Sequence, residues 1–133
     1  MTAMTNDRNT KRRDGVKFSF PVAANKKLYT GAIVVIQADG YAAPASTALT
    51  LRAAGIAENN ADATGAANGA ISVQVRRGVF ALKQGAEPIS LADLGKVCYL
   101  VDDQTVTKTD GAGTRSAAGI VRDVNADGVW VEF

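Results

Sequence analysis

Gly31-Ala32-Ile33-Val34-Val35-Ile36-Gln37-Ala38-Asp39, with Ala53-Ala54-Gly55-Ile56 after it, recurs in other letters as Gly95-Lys96-Val97-Cys98-Tyr99-Leu100-Val101-Asp102-Asp103 with Ala117-Ala118-Gly119-Ile120. The offset is 64 residues, and the two glycines of each copy stand 24 apart. Each copy runs through four apolar residues to an aspartate that marks a turn, and closes on Ala-Ala-Gly-Ile. Asn60-Ala61-Asp62 and Asn125-Ala126-Asp127 follow, each leading to an alternating strand. A solenoid needs at least three stacked units, so two copies of so long a period predict two similar β-modules packed into one small domain.

Outward from the repeat, the local signals are strands and turns. Val16-Lys17-Phe18-Ser19-Phe20 alternates apolar and polar and stops at Pro21. Tyr29 to Gln37 is a β-branched run too short and too glycine-flanked for a helix, and Ala38-Asp39-Gly40 is a hairpin turn. Tyr41 to Thr50, with Pro44, reads as an edge segment or loop, and Ala53 to Ala57 as a short strand in which Gly55 permits close packing or a bulge. Residues 58–69 read as a loop without apolar anchors. Ile71 to Arg76 alternates strictly, with Ile71, Val73 and Val75 inward, and the strand continues through Gly78 to Leu82. Ser90 is placed to cap one helical turn, Leu91 to Leu94, that Gly95 ends. The second module is expected to turn at Asp110-Gly111 and again at Asp127-Gly128, before a final strand with Val129, Val131 and Phe133 on one face. No helix is long enough for a βαβ crossover, so the fold class is all-β, a compact β-barrel or β-sandwich. The expected division is an extended basic arm over residues 1–20 and a single β domain over 21–133, with modules at about 28–83 and 92–133.

Composition narrows the function. The 133 residues are 47% apolar, but only four Phe, three Tyr and one Trp are aromatic, so the core is thin and built from Val, Ile and Leu. A thin core in a small domain is often completed by oligomerisation. No run approaches the ~20 apolar residues of a membrane helix, and no apolar stretch follows the N-terminal charges as in a secretory signal. The single Cys98 forms no internal disulfide, which fits manufacture in a reducing cytoplasm. The net charge of +2 conceals an asymmetry, because residues 1–27 hold seven Lys/Arg against two Asp. Arg8, Lys11, Arg12 and Arg13 stand in a polar, aperiodic stretch that cannot bury enough apolar surface to order itself.

Catalytic chemistry finds few candidates. There is no histidine, the commonest general base and metal ligand. Cys98 sits in an apolar run and reads as a small buried hydrophobe. Gly111-Ala112-Gly113-Thr114 lacks the helix that makes a phosphate loop. Asp123-Val124-Asn125-Ala126-Asp127-Gly128 matches the first half of a calcium loop, but the glutamate at position twelve would fall one residue past Phe133, and a hairpin turn with Asx side chains bonded to their own backbone is the alternative. Asp102-Asp103 point to opposite faces of a strand and read as a charged turn. Neither a catalytic residue, a cofactor nor a metal is therefore expected. The basic arm has three readings: phosphate binding, a solubilising tail, or a segment that reaches across a protein partner and adds Phe18 and Phe20 there as a strand or anchor. The third is preferred, because the Phe pair carries a strand pattern. Arg8, Lys11, Arg12, Arg13, Lys17, Phe18, Phe20, Arg76 and Arg77 are accordingly the candidate contact residues, with Arg76-Arg77 readable as solvated strand-end charges or as an intersubunit salt bridge.

From Leu28 to Phe133 the chain resembles the small capsid decoration, or cement, proteins of tailed phages and prophages. The resemblance is carried by Val73–Leu82 (Val-Gln-Val-x-x-Gly-Val-Phe-x-Leu), by Lys96–Asp103, and by Gly119–Phe133 with its closing Val-Trp-Val-Glu-Phe. It implies a compact β body that binds the outer surface of an expanded head at capsomer junctions. The major capsid protein would be its partner, the chain would self-associate as a trimer, and it would reside on the virion after synthesis in the host bacterium. A tail or baseplate β-module is the alternative, with a nucleic-acid-binding protein acting through its arm as a further one.

Overall fold

The computed structural model describes residues 2–133 and is all-β, with twelve strands and one 3₁₀ turn. In chain order the strands are β1 (Lys17–Pro21), β2 (Lys27–Leu28), β3 (Ile33–Ile36), β4 (Ala42–Pro44), β5 (Arg52–Ala57), β6 (Ala61–Asp62), β7 (Ser72–Arg76), β8 (Val79–Gln84), β9 (Val97–Leu100), β10 (Thr105–Thr107), β11 (Ala117–Asn125) and β12 (Gly128–Glu132). The 3₁₀ turn, Leu91–Asp93, lies between β8 and β9. Ser90 caps it as expected, and Asp93 closes a capping box by accepting from the Ser90 amide at 2.9 Å.

Strands β10-β8-β12-β11-β9 form a closed barrel, and β1-β7-β5-β3-β4 form a five-stranded sheet of matching plan. In each, a hairpin (β3–β4 or β9–β10) pairs with a third strand (β5 or β11), which pairs with a fourth (β7 or β12). A fifth strand, β1 or β8, lies antiparallel to the fourth. In the second barrel β8 closes the ring by pairing parallel to β10, Gln84 opposite Val106. In the first, the parallel bridge of Val22 with Ala42 occupies the same place, and the Ala23 amide donates to the Ala42 carbonyl at 2.8 Å as the Gly85 amide does to the Val106 carbonyl at 2.7 Å.

The registers make Lys17–Ala23 the counterpart of Val79–Gly85, Ile33–Ala57 of Val97–Val121, and Val73–Arg76 of Val129–Glu132. The matching offsets differ because β5 and β7 are joined by a long excursion, whereas β11 and β12 are joined by a two-residue turn. Gly55 and Gly119 occupy one structural position. A Cβ on Gly55 would overlap the Arg76 carbonyl oxygen, and a Cβ on Gly119 that of Glu132. Register shifts adjoin both glycines, and such bulges bend a short sheet far enough to curl on itself.

The interiors match as well. Val22, Val34, Ala42, Ala57, Val73 and Val75 pack inside the first unit. Cys98, Val106, Val121, Val129 and Val131 fill the second, and Cys98 stands where Val34 does. Each fully buried Val or Leu contributes about 1.5–3 kcal/mol. The second core does not end at its own barrel. Ile33, Val35, Ala43, Ala45 and Ile56, from the outer face of the first unit, join it, so the second barrel's core extends across the contact between the units, while the interior of the first remains a separate cluster.

Four expectations are corrected. The modules run over residues 17–76 and 79–133 instead of 28–83 and 92–133, since the register pairs β8 with β12 and β1 with β7. Lys17–Pro21, expected at the end of a free arm over residues 1–20, is therefore a strand of the body, and Phe18 and Phe20 pair within their own chain. The excursion over residues 58–69 does carry apolar anchors, because Ala61 and Ala63 are buried and β6 pairs with β2. Asp110-Gly111 turns as expected, but in the β10–β11 connection, where the Asp110 carbonyl accepts from Thr114 and Arg115, instead of within the β9–β10 hairpin; that hairpin turns at the charged pair Asp102-Asp103, where Asp102 accepts from the Gln104 amide at 2.9 Å.

Candidate interaction surfaces

Antiparallel pairing of β1 with β7 sets Phe18 and Phe20 on one face of β1, two residues apart, their rings stacked with centroids 5.9 Å apart. Beside them lie Ile36 from β3, Ala53 and Ala54 from β5, and Arg52 and Arg77 at the rim. Together these seven residues line an open groove of about 310 Å³. Arg52 is held there by donating to the Gln37 carbonyl at 3.0 Å. The floor is apolar and half-buried, the rim cationic. Such a surface binds by shape and desolvation, with guanidinium groups available to carbonyls or carboxylates.

Three of the sequence-predicted contact residues, Phe18, Phe20 and Arg77, thus converge on one groove. Lys17 and Arg76 point elsewhere: both approach Glu58, at 3.7 and 3.6 Å, in exposed ion pairs of small energetic weight. Arg8, Lys11, Arg12 and Arg13 are exposed on a segment without regular structure. Arg13 nevertheless lines a shallow cavity of about 540 Å³ with Asp14, Gly15, Val16, Lys17 and Arg76, where the segment meets the body. The Arg77 amide donates to the Val16 carbonyl at 2.7 Å, which fixes the point of departure.

The acidic side chains singled out in the sequence work as turn and loop clamps. Asp123 accepts from the Val124 amide at 2.8 Å, and Asn125 accepts from the Asp127 amide at 2.9 Å and from the Trp130 indole at 3.0 Å, which makes Asp123–Gly128 an Asx-bonded hairpin turn. Two further carboxylates were not singled out. Glu87 holds the Arg115 guanidinium and the Thr109 hydroxyl, whose hydrogen bonds, with Arg115, keep its carboxyl below the usual range. Asp93 is lowered chiefly by the Ser90 amide, with Lys108 and Lys96 each 3.9 Å away. Glu87 is revealed only by partners 22 and 28 residues away, a signal that a single sequence does not carry, whereas Asp93 follows Ser90 at the local Ser-x-x-Asp spacing of a capping box. Cys98 is buried as expected, and its burial pushes the thiol up to about 11. Among the described residues, no group of three or more His, Cys, Asp or Glu could hold a metal ion.

Comparison with protein-family models, with curated proteins and with solved structures found no match.

Proposed function

We propose that the chain is a non-enzymatic decoration protein of a tailed-phage head, which binds the outer surface of the expanded shell at capsomer junctions and stabilises it. Its partners on this reading are the major capsid protein and further copies of itself, assembled as a trimer. The observation that carries the reading is where the resemblance falls: Val73–Leu82 spans β7 and β8, Lys96–Asp103 is β9 with its turn, and Gly119–Phe133 is the β11–β12 hairpin. These segments supply framework strands to both units. A cement protein needs a rigid body with adhesive surfaces, and the apolar groove and the basic segment over residues 2–16 supply them. Many weak contacts per copy, repeated over a shell, add up to avidity that one contact would not show.

The test is co-sedimentation of the purified protein with mature and immature shells of its phage. It is run with the full chain and with a chain lacking residues 2–14, which keeps β1 and its anchor at Val16. Saturable binding to mature shells alone is expected, and its loss on truncation would assign the grip to the basic segment. Binding to neither shell would overturn the proposal in favour of a tail or baseplate module.

A further inference from the structure

The two barrels are equivalent in plan but not in what covers them. On the first, the outer face of β3 and β5 is buried against the second: Ile33 and Val35 are fully covered and Ile56 nearly so. The counterparts on the second are Val97, Tyr99 and Ile120. Val97 is 41% exposed and the other two are only half-buried. Leu94, beside them in the chain, is exposed as well.

The surface of the second barrel that does the covering includes Phe80, Leu82, Leu100, Ala118 and Phe133, which all pack in the shared core. Polar contacts reinforce it. The Ile33 amide donates to the Asp103 carbonyl at 2.8 Å, the Thr47 hydroxyl to the Val101 carbonyl at 2.8 Å, and Ser116 bonds Ala48 and Leu51. Mapped back onto the first barrel by register, Phe80, Leu82, Leu100, Ser116, Ala118 and Phe133 become Phe18, Phe20, Ile36, Arg52, Ala54 and Arg77. These are six of the seven residues that line the open groove. The groove is therefore the unoccupied duplicate of the surface that clasps Ile33, Val35 and Ile56 within the chain.

We propose that the groove of one copy receives the Val97-Tyr99-Ile120 face of a second copy, so that the barrel–barrel contact inside the chain is repeated between chains. The occupant follows from the template, since the face inside the chain that fits such a surface has its exposed counterpart only on the second barrel. The Val97 amide would take the Asp39 carbonyl as Ile33 takes that of Asp103. Arg52, where the second barrel has Ser116, would meet the loop over residues 109–115, which supplies the Ala112 carbonyl and the acidic Asp110 in place of Ala48 and its neighbours. The contact is heterologous, groove to face, and a repeated rotation of this kind closes into a ring or runs on as a filament. The inference goes beyond the capsid reading and does not rest on it, because it is read in the free protein.

The experiment is sedimentation velocity with light scattering on the full chain and two variants. Val97→Asp charges the face, and Arg52→Trp fills the groove from its exposed rim. The parent is expected to associate in a concentration-dependent way, and each variant to associate at least about tenfold more weakly, as for a central interface residue. Mixing the two variants is expected to give a one-to-one dimer that goes no further, because one retains an intact groove and the other an intact face. Circular dichroism melts check that both variants fold; should Val97→Asp melt early, Tyr99→Lys on the same face serves instead. A parent that stays monomeric, variants that associate like the parent, or a mixture that fails to dimerise would each overturn the proposal.

Discussion

Replacing Gly119 by alanine tests the construction of the barrel at its tightest point. The added methyl would sit 2.9 Å from the Val131 Cγ1, against the ~3.5–4.0 Å of ordinary carbon contacts, and would overlap the Glu132 carbonyl oxygen outright. The nearest atoms are backbone of β12, so no side-chain rotation relieves the overlap, and β11 and β12 must part locally. Loss of two or three ladder hydrogen bonds at about 1 kcal/mol each, or overpacking strain of about 1–3 kcal/mol, sets the cost. The alanine recovers about 0.4–1 kcal/mol by restricting the unfolded chain. A net loss of about 2 kcal/mol remains, which lowers the melting temperature by about 8 °C for a domain of this size. Gly55→Ala is expected to cost at least as much, because its Cβ would overlap the Arg76 carbonyl and its φ of +144° is one that side-chain-bearing residues rarely adopt. Gly15→Ala, with no atom within 4 Å of the new methyl, is the control and should melt with the parent. Calorimetric melts of the three variants decide the matter. If Gly119→Ala melts within about 2 °C of the parent, the close approach of β11 to β12 is not the constraint described here.

Leu100→Ala empties a fully buried position in the shared core and should cost about 2–5 kcal/mol by urea unfolding, with the slope unchanged. Cys98→Val should cost less than about 1.5 kcal/mol in the same assay, since valine fills the counterpart position at Val34. With its thiol pKa raised to about 11, Cys98 should also resist a thiol reagent at neutral pH in the native protein and react promptly in denaturant. Glu87→Gln should lower the melting temperature at neutral pH, where the carboxylate clamps Arg115 and Thr109. Because the folded pKa lies below the ordinary 4.5, that stabilisation is present above 4.5 and fades as pH falls through the lowered value. The melts of parent and Glu87→Gln should therefore converge in acid, and a gap that persists there would refute the electrostatic role.

How far the sequence was legible depended on whether a signal was local. Asp39-Gly40, Asp127-Gly128, the Ser90 cap and the alternation of Ile71 to Arg76 each act within a few residues, and all appear where expected. The repeat was visible over Gly31–Gly55 and Gly95–Gly119 because one offset spans three strands there. It faded outside them because the β5–β7 excursion and the short β11–β12 turn shift the register of the fourth strand. That loss of phase hid the equivalence of β1 with β8, and with it the fact that Phe18 and Phe20 pair with β7 of their own chain. The groove was only half legible for the same reason. Phe18, Phe20 and Arg77 stand out as aromatic or charged residues beside a strand, whereas Ile36, Arg52, Ala53 and Ala54 gain meaning only when β5 lies next to β1's partner strand β7 and β3 next to β5. Asp110-Gly111 does turn, but in the β10–β11 connection, because Asp-Gly is also favoured in loops, and the charged pair at Asp102-Asp103 supplies the hairpin turn without a glycine.

Where the two barrels diverge is as informative as where they agree. Their interiors differ by small volume changes, Val34 against Cys98 or Ala42 against Val106, which any close-packed core requires. The outer positions diverge in kind. Ser116, buried in the contact between barrels, and Phe133, half-buried beside it, are matched by Arg52 and Arg77, which keep their charge in solvent at the groove rim. On the opposite surface the exchange is milder: Ile33, Val35 and Ile56 become Val97, Tyr99 and Ile120, and none acquires a charge. A face maintained only for solubility would be expected to gain Lys or Glu at such positions, as edge strands commonly do. An apolar face without charge, opposite a groove whose floor is apolar and whose rim is cationic, favours a contact made after folding.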